Sequence, residues 1–132
     1  MLKQLQGRAE GATLNLMRIV VGLLFWSHGA QKMLGWFGRS RVEDIFSRSG
    51  LAGALELIGG FAIMIGLFTR PVAFILSGQM AFAYFISHAA GLTLPIENRG
   101  ELAVLYCFVF LFMAAAGGGR FSVDGLIRKK RK

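Results

Sequence analysis

Four long apolar stretches, separated by short polar segments, dominate the hydrophobic pattern of the chain. A helix needs about 20 apolar residues to cross the roughly 30 Å hydrocarbon core of a bilayer, and each stretch approaches that length. The stretches cover residues 13–37, 51–68, 71–94 and 100–117. The connections are mostly short turns, with no linker or internal repeat. We therefore predict an all-α integral membrane protein, an antiparallel four-helix bundle forming a single domain over residues 1–132.

The third stretch is the clearest span and the first is the weakest. From Pro71 to Ile96 no residue is acidic and none is Lys or Arg, and Pro71 suits the first turn of a helix. The first stretch carries Arg18, His28 and Lys32. It does not read as a signal peptide, because it contains Arg18 and offers no small-x-small cleavage site. Its three apolar neighbours support its interpretation as a span.

Composition agrees with the membrane class. Of the 132 residues, 55% are hydrophobic and 17% charged, and the mean hydropathy is +0.56, far from the balance of a soluble domain. The net charge of +8 does not indicate nucleic acid as a partner, because the basic residues collect at the chain ends and in turns. The single cysteine, Cys107, excludes a disulfide framework and a thiolate metal site within the chain.

The distribution of Lys and Arg predicts the topology. Counted near the ends of the spans, these residues place both termini in the cytoplasm, and the basic tail from Arg128 to Lys132 decides the count. The first outer loop is also basic. Its Val42, Ile45 and Phe46 recur at helical spacing and predict a short helix lying in the membrane interface.

Small residues repeat on single faces of the first two predicted helices. Gly22 and Gly29 in the first stretch, and Gly53 and Gly60 in the second, each recur after seven residues and so share a face. In lipid, small residues let helix backbones approach closely. We therefore expect each of these faces to meet another helix.

Ionisable side chains are predicted to point into the bundle at similar depth. With a rise of about 1.5 Å per residue and both termini inside, one set falls in the outer half of the bundle. This set comprises His28, Lys32, Glu56, Tyr84, His88 and Glu101. Arg18 lies nearer the inner side, where it can snorkel to the interface or reach toward Glu56. A charge at mid-bilayer costs at least ~2.5 kcal/mol, so such groups are normally paired and are functional candidates.

Glu56 has two compatible interpretations. As a structural group it forms a buried ion pair with Lys32 or Arg18 that fixes the helix register. As a functional group it handles protons beside a ligand. His28 and His88 lie on different helices at like depth, as two axial ligands of a haem would, although hydrogen-bonded interior histidines are the simpler interpretation.

A set of short motifs follows the pattern of a known family. These motifs are Arg18-x3-Gly22, His28 to Lys32, Glu56-x2-Gly59-Gly60, Gly66 to Pro71, Asn98 to Glu101, and Gly117 to Asp124. Together they resemble the DoxX family of small bacterial membrane proteins, over nearly the whole chain. The resemblance implies a four-helix protein of the bacterial inner membrane. Some relatives are linked to quinone-coupled oxidation of sulfur compounds and others to complexes that handle oxidative stress and thiols, so the resemblance supports the fold better than a reaction.

These observations favour a redox-associated subunit of a membrane complex that binds a quinone or a similar small molecule in the outer-half pocket. Glu56 and His28 are the predicted catalytic residues and pass protons. The predicted ligand-binding residues are Arg18, Lys32, Tyr84, His88 and Glu101. No metal is predicted, apart from the haem alternative at His28 and His88.

No flavin, nicotinamide or iron–sulfur motif is visible, so we predict no intrinsic cofactor and expect a partner redox protein to supply electrons or substrate oxidation. If the chain is part of an enzyme, it is an accessory subunit of a membrane oxidoreductase. Two alternatives stay open, a non-catalytic scaffold subunit and a small-solute carrier. Four spans are few for alternating access, so a carrier would require a homo-oligomer.

Overall fold

The computed structural model describes residues 1–88 and 94–132, which form five helices and no strand. The helices are α1 (Leu2–Leu34), α2 (Arg48–Ile65), α3 (Thr69–Ser87), α4 (Glu101–Ala116) and α5 (Val123–Lys130). The predicted all-α class is confirmed. Helices α1 to α4 fall on the four predicted apolar stretches, and the end of the third stretch, residues 89–93, lies outside the described residues.

Two of the described helices, α1 and α2, are long and apolar enough to cross a membrane by length and composition. Helix α4 is apolar but has 16 residues, and α3 has 19 within the described part of the chain. A crossing by all four helices therefore stays a prediction.

Local signals explain where the helices end. Gly35 and Gly66 follow α1 and α2 in the left-handed conformation, with φ of 69° and 72°, which glycine adopts without steric cost. Pro71 lies in the first turn of α3 as predicted. Helix α1 begins at Leu2, well before the predicted span, and α5 was not predicted.

The predicted interfacial helix around residues 42–46 is wrong. This segment forms turns, and Phe46 is 84% exposed. The side chain of Asp44 accepts a hydrogen bond from the Phe46 N–H at 2.9 Å, and the Ser47 hydroxyl caps α2 by accepting from the Gly50 N–H at 3.0 Å. Short polar side chains that bond to nearby backbone compete with helix formation, so the apolar spacing did not decide the structure here.

The glycine faces of α1 and α2 meet each other, as predicted. A methyl carbon on Gly22 would lie 2.6 Å from the backbone nitrogen of Met64, and one on Gly60 would lie 2.5 Å from that of Trp26. Gly29 faces the α2 backbone just as closely. No side chain fits at these positions, so the two backbones approach along one continuous seam.

The four long helices share an apolar core and differ in how far they contact one another. Phe25 of α1, Ile63 of α2, Leu76 of α3 and Phe110 of α4 are all at most 1% exposed and belong to one cluster. Helix α1 packs along α2, and α3 along α4, whereas α2 and α3 meet over a shorter seam. The fold therefore consists of two helix pairs, and the seam between α2 and α3 leaves room for a groove.

Candidate functional site

A buried ion pair links α1 to α2. Lys32 Nζ lies 2.7 Å from Glu56 Oε1, and this is the only ion pair within residues 1–88 and 94–132. Glu56 is 4% exposed, and the Lys32 side chain is 18% exposed. Of the two partners that the sequence allowed for Glu56, the structure therefore selects Lys32.

The ion pair satisfies only one of the two Glu56 oxygens. Glu56 Oε2 is buried and has no hydrogen-bond partner among the described residues. Gln79 of α3 also has a buried oxygen without a hydrogen-bond partner, Oε1. Its Nε2 donates to the Ala52 carbonyl at 3.4 Å. Buried polar atoms in proteins are nearly always bonded, so two unbonded acceptors indicate missing donors.

Both side chains line a groove of about 500 Å³ at the seam between α2 and α3. This volume lies in the range of small-molecule sites. Its walls are mainly apolar, formed among others by Leu51, Leu55, Ile75, Phe82 and Ile86. Gly78 helps to open the groove, since a methyl carbon added there would meet no atom within 4 Å.

His28 lies on another side of the bundle, next to Tyr106 of α4. The His28 and Tyr106 ring centroids are 6.4 Å apart, and Tyr106 packs against Phe25 and Phe110 in the core. Tyr106 is 8% exposed and lies within electrostatic range of the Glu56 carboxylate. Tyr106 is not among the site residues predicted from the sequence. Its spacing of four residues from Phe110 is the signal that places it on the buried face.

Tyr84 and His88 fasten the segment before α4 rather than line the groove. Their rings stack with centroids 6.5 Å apart. Asn98 donates from Nδ2 to the Tyr84 hydroxyl at 3.3 Å, and its carbonyl oxygen lies 3.0 Å from His88 Nδ1. Glu101 is exposed in the first turn of α4. Of the six residues predicted to converge, the structure thus brings Lys32 and Glu56 together at the groove.

No group of three or more His, Cys, Asp or Glu side chains in the described part of the chain is placed to hold a metal ion. Haem ligation by His28 and His88 stays a prediction.

Arg18 lies at the other end of the bundle, about 21 Å along α1 from Lys32 at 1.5 Å per residue. It is 1% exposed. Its Nε donates to the Gly118 carbonyl at 2.8 Å, and its Nη1 donates to the Ile63 carbonyl at 2.9 Å and also to that of Met64. Its Nη2 donates to the carbonyl of Phe121. Arg18 therefore ties the end of α2 to the loop between α4 and α5.

The carboxylate of Asp124 joins the segment that follows α4 to the start of α3. Asp124 accepts hydrogen bonds from the backbone N–H groups of Phe68 and Thr69, both at 2.8 Å, and its own N–H donates to the Gly66 carbonyl at 2.9 Å. Phe68 has a φ of 47°, a conformation that non-glycine residues rarely adopt. Asp124 thus caps the start of α3 from 55 residues away. We call Arg18, Asp124 and their partners the inner clamp, because the sequence predicts that Arg18 lies nearer the inner side of the membrane.

Comparison with known proteins identifies the family. Residues 13–89 match the sequence model of DoxX. An uncharacterized protein of Haemophilus influenzae is 42% identical over 89% of this chain and 92% of its own length. The chain belongs to the DoxX family. It is 28% identical to the inner membrane protein YqjF of Escherichia coli, over 93% of this chain and 98% of YqjF. It is 27% identical to CatD of Bacillus subtilis, which is named as a proposed oxidoreductase, over 89% of this chain and 88% of CatD.

No solved structure matches the chain. As a member of the DoxX family, the chain is a membrane protein. The motifs that resembled DoxX in the sequence divide between the two ends of the bundle. The segments from Gly66 to Pro71 and from Gly117 to Asp124 meet in the inner clamp with Arg18, whereas Lys32 and Glu56 form the ion pair at the groove.

Proposed function

We propose that this DoxX protein spans the bacterial inner membrane with four helices and binds a quinol, the reduced form of a quinone, in the groove between α2 and α3. Support for the membrane arrangement comes from which side chains face outward. Ile58, Phe74 and Phe85 are each more than 65% exposed, whereas Arg18 and Glu56 are at most 4% exposed. Lipid favours this distribution, in which apolar side chains face outward and polar groups are paired inside the bundle.

The distribution of Lys and Arg between the two ends of the bundle supports an orientation with both termini in the cytoplasm. The end that carries the inner clamp and both termini holds ten of the fifteen Lys and Arg residues, and the other end holds five. An excess of Lys and Arg marks the cytoplasmic side, so both termini lie in the cytoplasm and the groove opens toward the outer half of the membrane.

The single observation that carries the proposed ligand is the unbonded Glu56 Oε2, reinforced by Gln79 Oε1 in the same groove. Both atoms accept hydrogen bonds, so the ligand must donate. A quinol presents two hydroxyl donors on a flat ring, whereas a quinone presents only carbonyl acceptors. The apolar walls suit the ring and the start of an isoprenoid tail.

A quinol releases two electrons and two protons when it is oxidised to a quinone. Glu56 is placed to take the first hydroxyl proton, and the second leaves through the open side of the groove. The electrons must pass to a partner redox protein, which makes this chain an accessory subunit of a membrane oxidoreductase. The name of the relative CatD supports a redox context.

The direct test is anaerobic titration of the purified protein with short-chain ubiquinol and ubiquinone, followed by the fluorescence of Trp26 and Trp36. We expect saturable binding, with the quinol bound about tenfold more tightly. Glu56→Gln is expected to weaken quinol binding about tenfold, since a hydrogen bond to a charged group contributes roughly 1.5–3 kcal/mol. The matched control, Glu43→Gln, alters an exposed carboxylate that no prediction places in the binding site, and it should bind normally.

A second variant separates the ligand from the structural role of Glu56. Gly78→Leu fills the groove without touching a polar group, and it should abolish quinol binding while leaving the helix content unchanged. Binding that ignores Gly78→Leu would exclude this groove. If no quinol binds and Glu56→Gln lowers only the yield of folded protein, the chain is a non-catalytic scaffold instead.

A further inference from the structure

We propose that a cavity beside the inner clamp binds the phosphate group of an anionic phospholipid, through Arg8 and Arg120. This cavity of about 490 Å³ lies between the first turns of α1 and the loop between α4 and α5. It is separate from the groove that holds Glu56, and it has no part in the proposed binding of a quinol.

The net charge of the protein is concentrated at this end of the bundle. Ten Lys and Arg residues lie there against two acidic residues, Glu10 and Asp124, whereas the opposite end holds five basic and five acidic residues. The whole formal charge of +8 therefore belongs to the clamp end. Asp124 caps α3 with its carboxylate and acts electrostatically on Arg18, yet ten cations against two carboxylates leave this end strongly basic.

The cavity itself holds two guanidinium groups without a carboxylate partner. Arg8 and Arg120 both line it, and neither forms an ion pair within the described ranges. Guanidinium groups bind phosphate oxygens with paired N–H donors, so two of them around one cavity favour a phosphate ligand. Asn15 also lines the cavity and is 7% exposed, and its Oδ1 is buried without a hydrogen-bond partner among the described residues. This oxygen accepts hydrogen bonds, so it suits a hydroxyl of a glycerol headgroup rather than the phosphate itself.

The setting favours a lipid phosphate over a soluble one. Arg120 and Phe121 also line a neighbouring cavity of about 980 Å³, whose other walls include Leu126, Arg128 and Lys129 of α5. Phe121 is 81% exposed and Leu126 is 61% exposed. Cationic groups next to exposed apolar side chains match a phospholipid, which presents its phosphate directly beside its acyl chains.

The test compares lipid retention by the full chain purified in mild detergent. Native mass spectrometry would count phosphatidylglycerol and phosphatidylcholine molecules bound after exposure to an equal mixture. We expect a preference of about tenfold for phosphatidylglycerol, and we expect Arg8→Gln/Arg120→Gln to remove most of it, since each basic residue near an anionic surface contributes substantially to binding. The control Arg39→Gln/Arg41→Gln removes the same charge from exposed residues at the opposite end and should keep the preference.

Three results would overturn the proposal: no preference in the unmodified protein, an equal loss in both double variants, or displacement of the bound lipid by millimolar glycerol phosphate. The last would identify a site for a soluble phosphate. Circular dichroism and quinol titration of Arg8→Gln/Arg120→Gln would show that the fold and the groove are intact. A failure of the phospholipid proposal is therefore distinguishable from a failure of the quinol proposal.

Discussion

Replacing Lys32 by methionine would leave the Glu56 carboxylate buried without its counter-charge. Methionine keeps the length and the apolar stem of lysine, so the change isolates the ammonium group. Breaking a buried pair by removing one partner costs about 3–5 kcal/mol when the remaining charge stays buried. Glu56 is 4% exposed and the Lys32 side chain is 18% exposed, so we expect a loss of about 3 kcal/mol, at the lower end of this range.

The assay is reversible unfolding in mixed micelles, followed by helix circular dichroism. The double variant Lys32→Met/Glu56→Gln carries no buried charge, so it should recover much of the stability. A loss below about 1 kcal/mol in Lys32→Met would show that water enters the groove and solvates Glu56.

Two further variants test the clamp and the glycine seam. Arg18→Met removes the donors to four backbone carbonyls, and at roughly 1.5–3 kcal/mol for each hydrogen bond to a charged group it should cost at least about 3 kcal/mol. The exposed Arg39→Met should change unfolding by less than about 0.5 kcal/mol in the same assay. Gly22→Ala forces a methyl group against the Met64 backbone and should cost about 1–3 kcal/mol, whereas Gly78→Ala enters open space and should stabilise α3 by up to about 1 kcal/mol. Equal effects of the two alanine variants would contradict the packing argument.

The sequence predicted the helices and their inward faces well, because both follow from local periodicity. The recurrence of Gly22 and Gly29 after seven residues reports which side of α1 a neighbour can approach, and the structure places α2 there. The sequence narrowed the ion-pair partner of Glu56 to Lys32 or Arg18, because a buried carboxylate needs a basic partner. Only the three-dimensional arrangement could choose Lys32.

The residues that escaped prediction act over long separations in the chain. In the sequence Asp124 stands only as the last residue of a family motif, whereas the structure shows that it caps a helix 55 residues earlier. Gln79 is not among the site residues predicted from the sequence, and its importance comes from lying across the groove from α2. Tyr84 and His88 share a face and depth with the predicted pocket, but both side chains form their hydrogen bonds with Asn98 instead. Helical wheels give the face of a residue and not its partner.

Hydrogen-bond capacity distinguishes Arg18 from Glu56. Arg18 has five N–H donors and uses four of them on backbone carbonyls, so this side chain has almost no capacity left for a ligand. Glu56 has two oxygens, and one of them is unused at a groove where two helix pairs meet over a short seam. Arg18 therefore serves the fold, whereas the unbonded oxygen of Glu56 is the feature from which we propose a ligand.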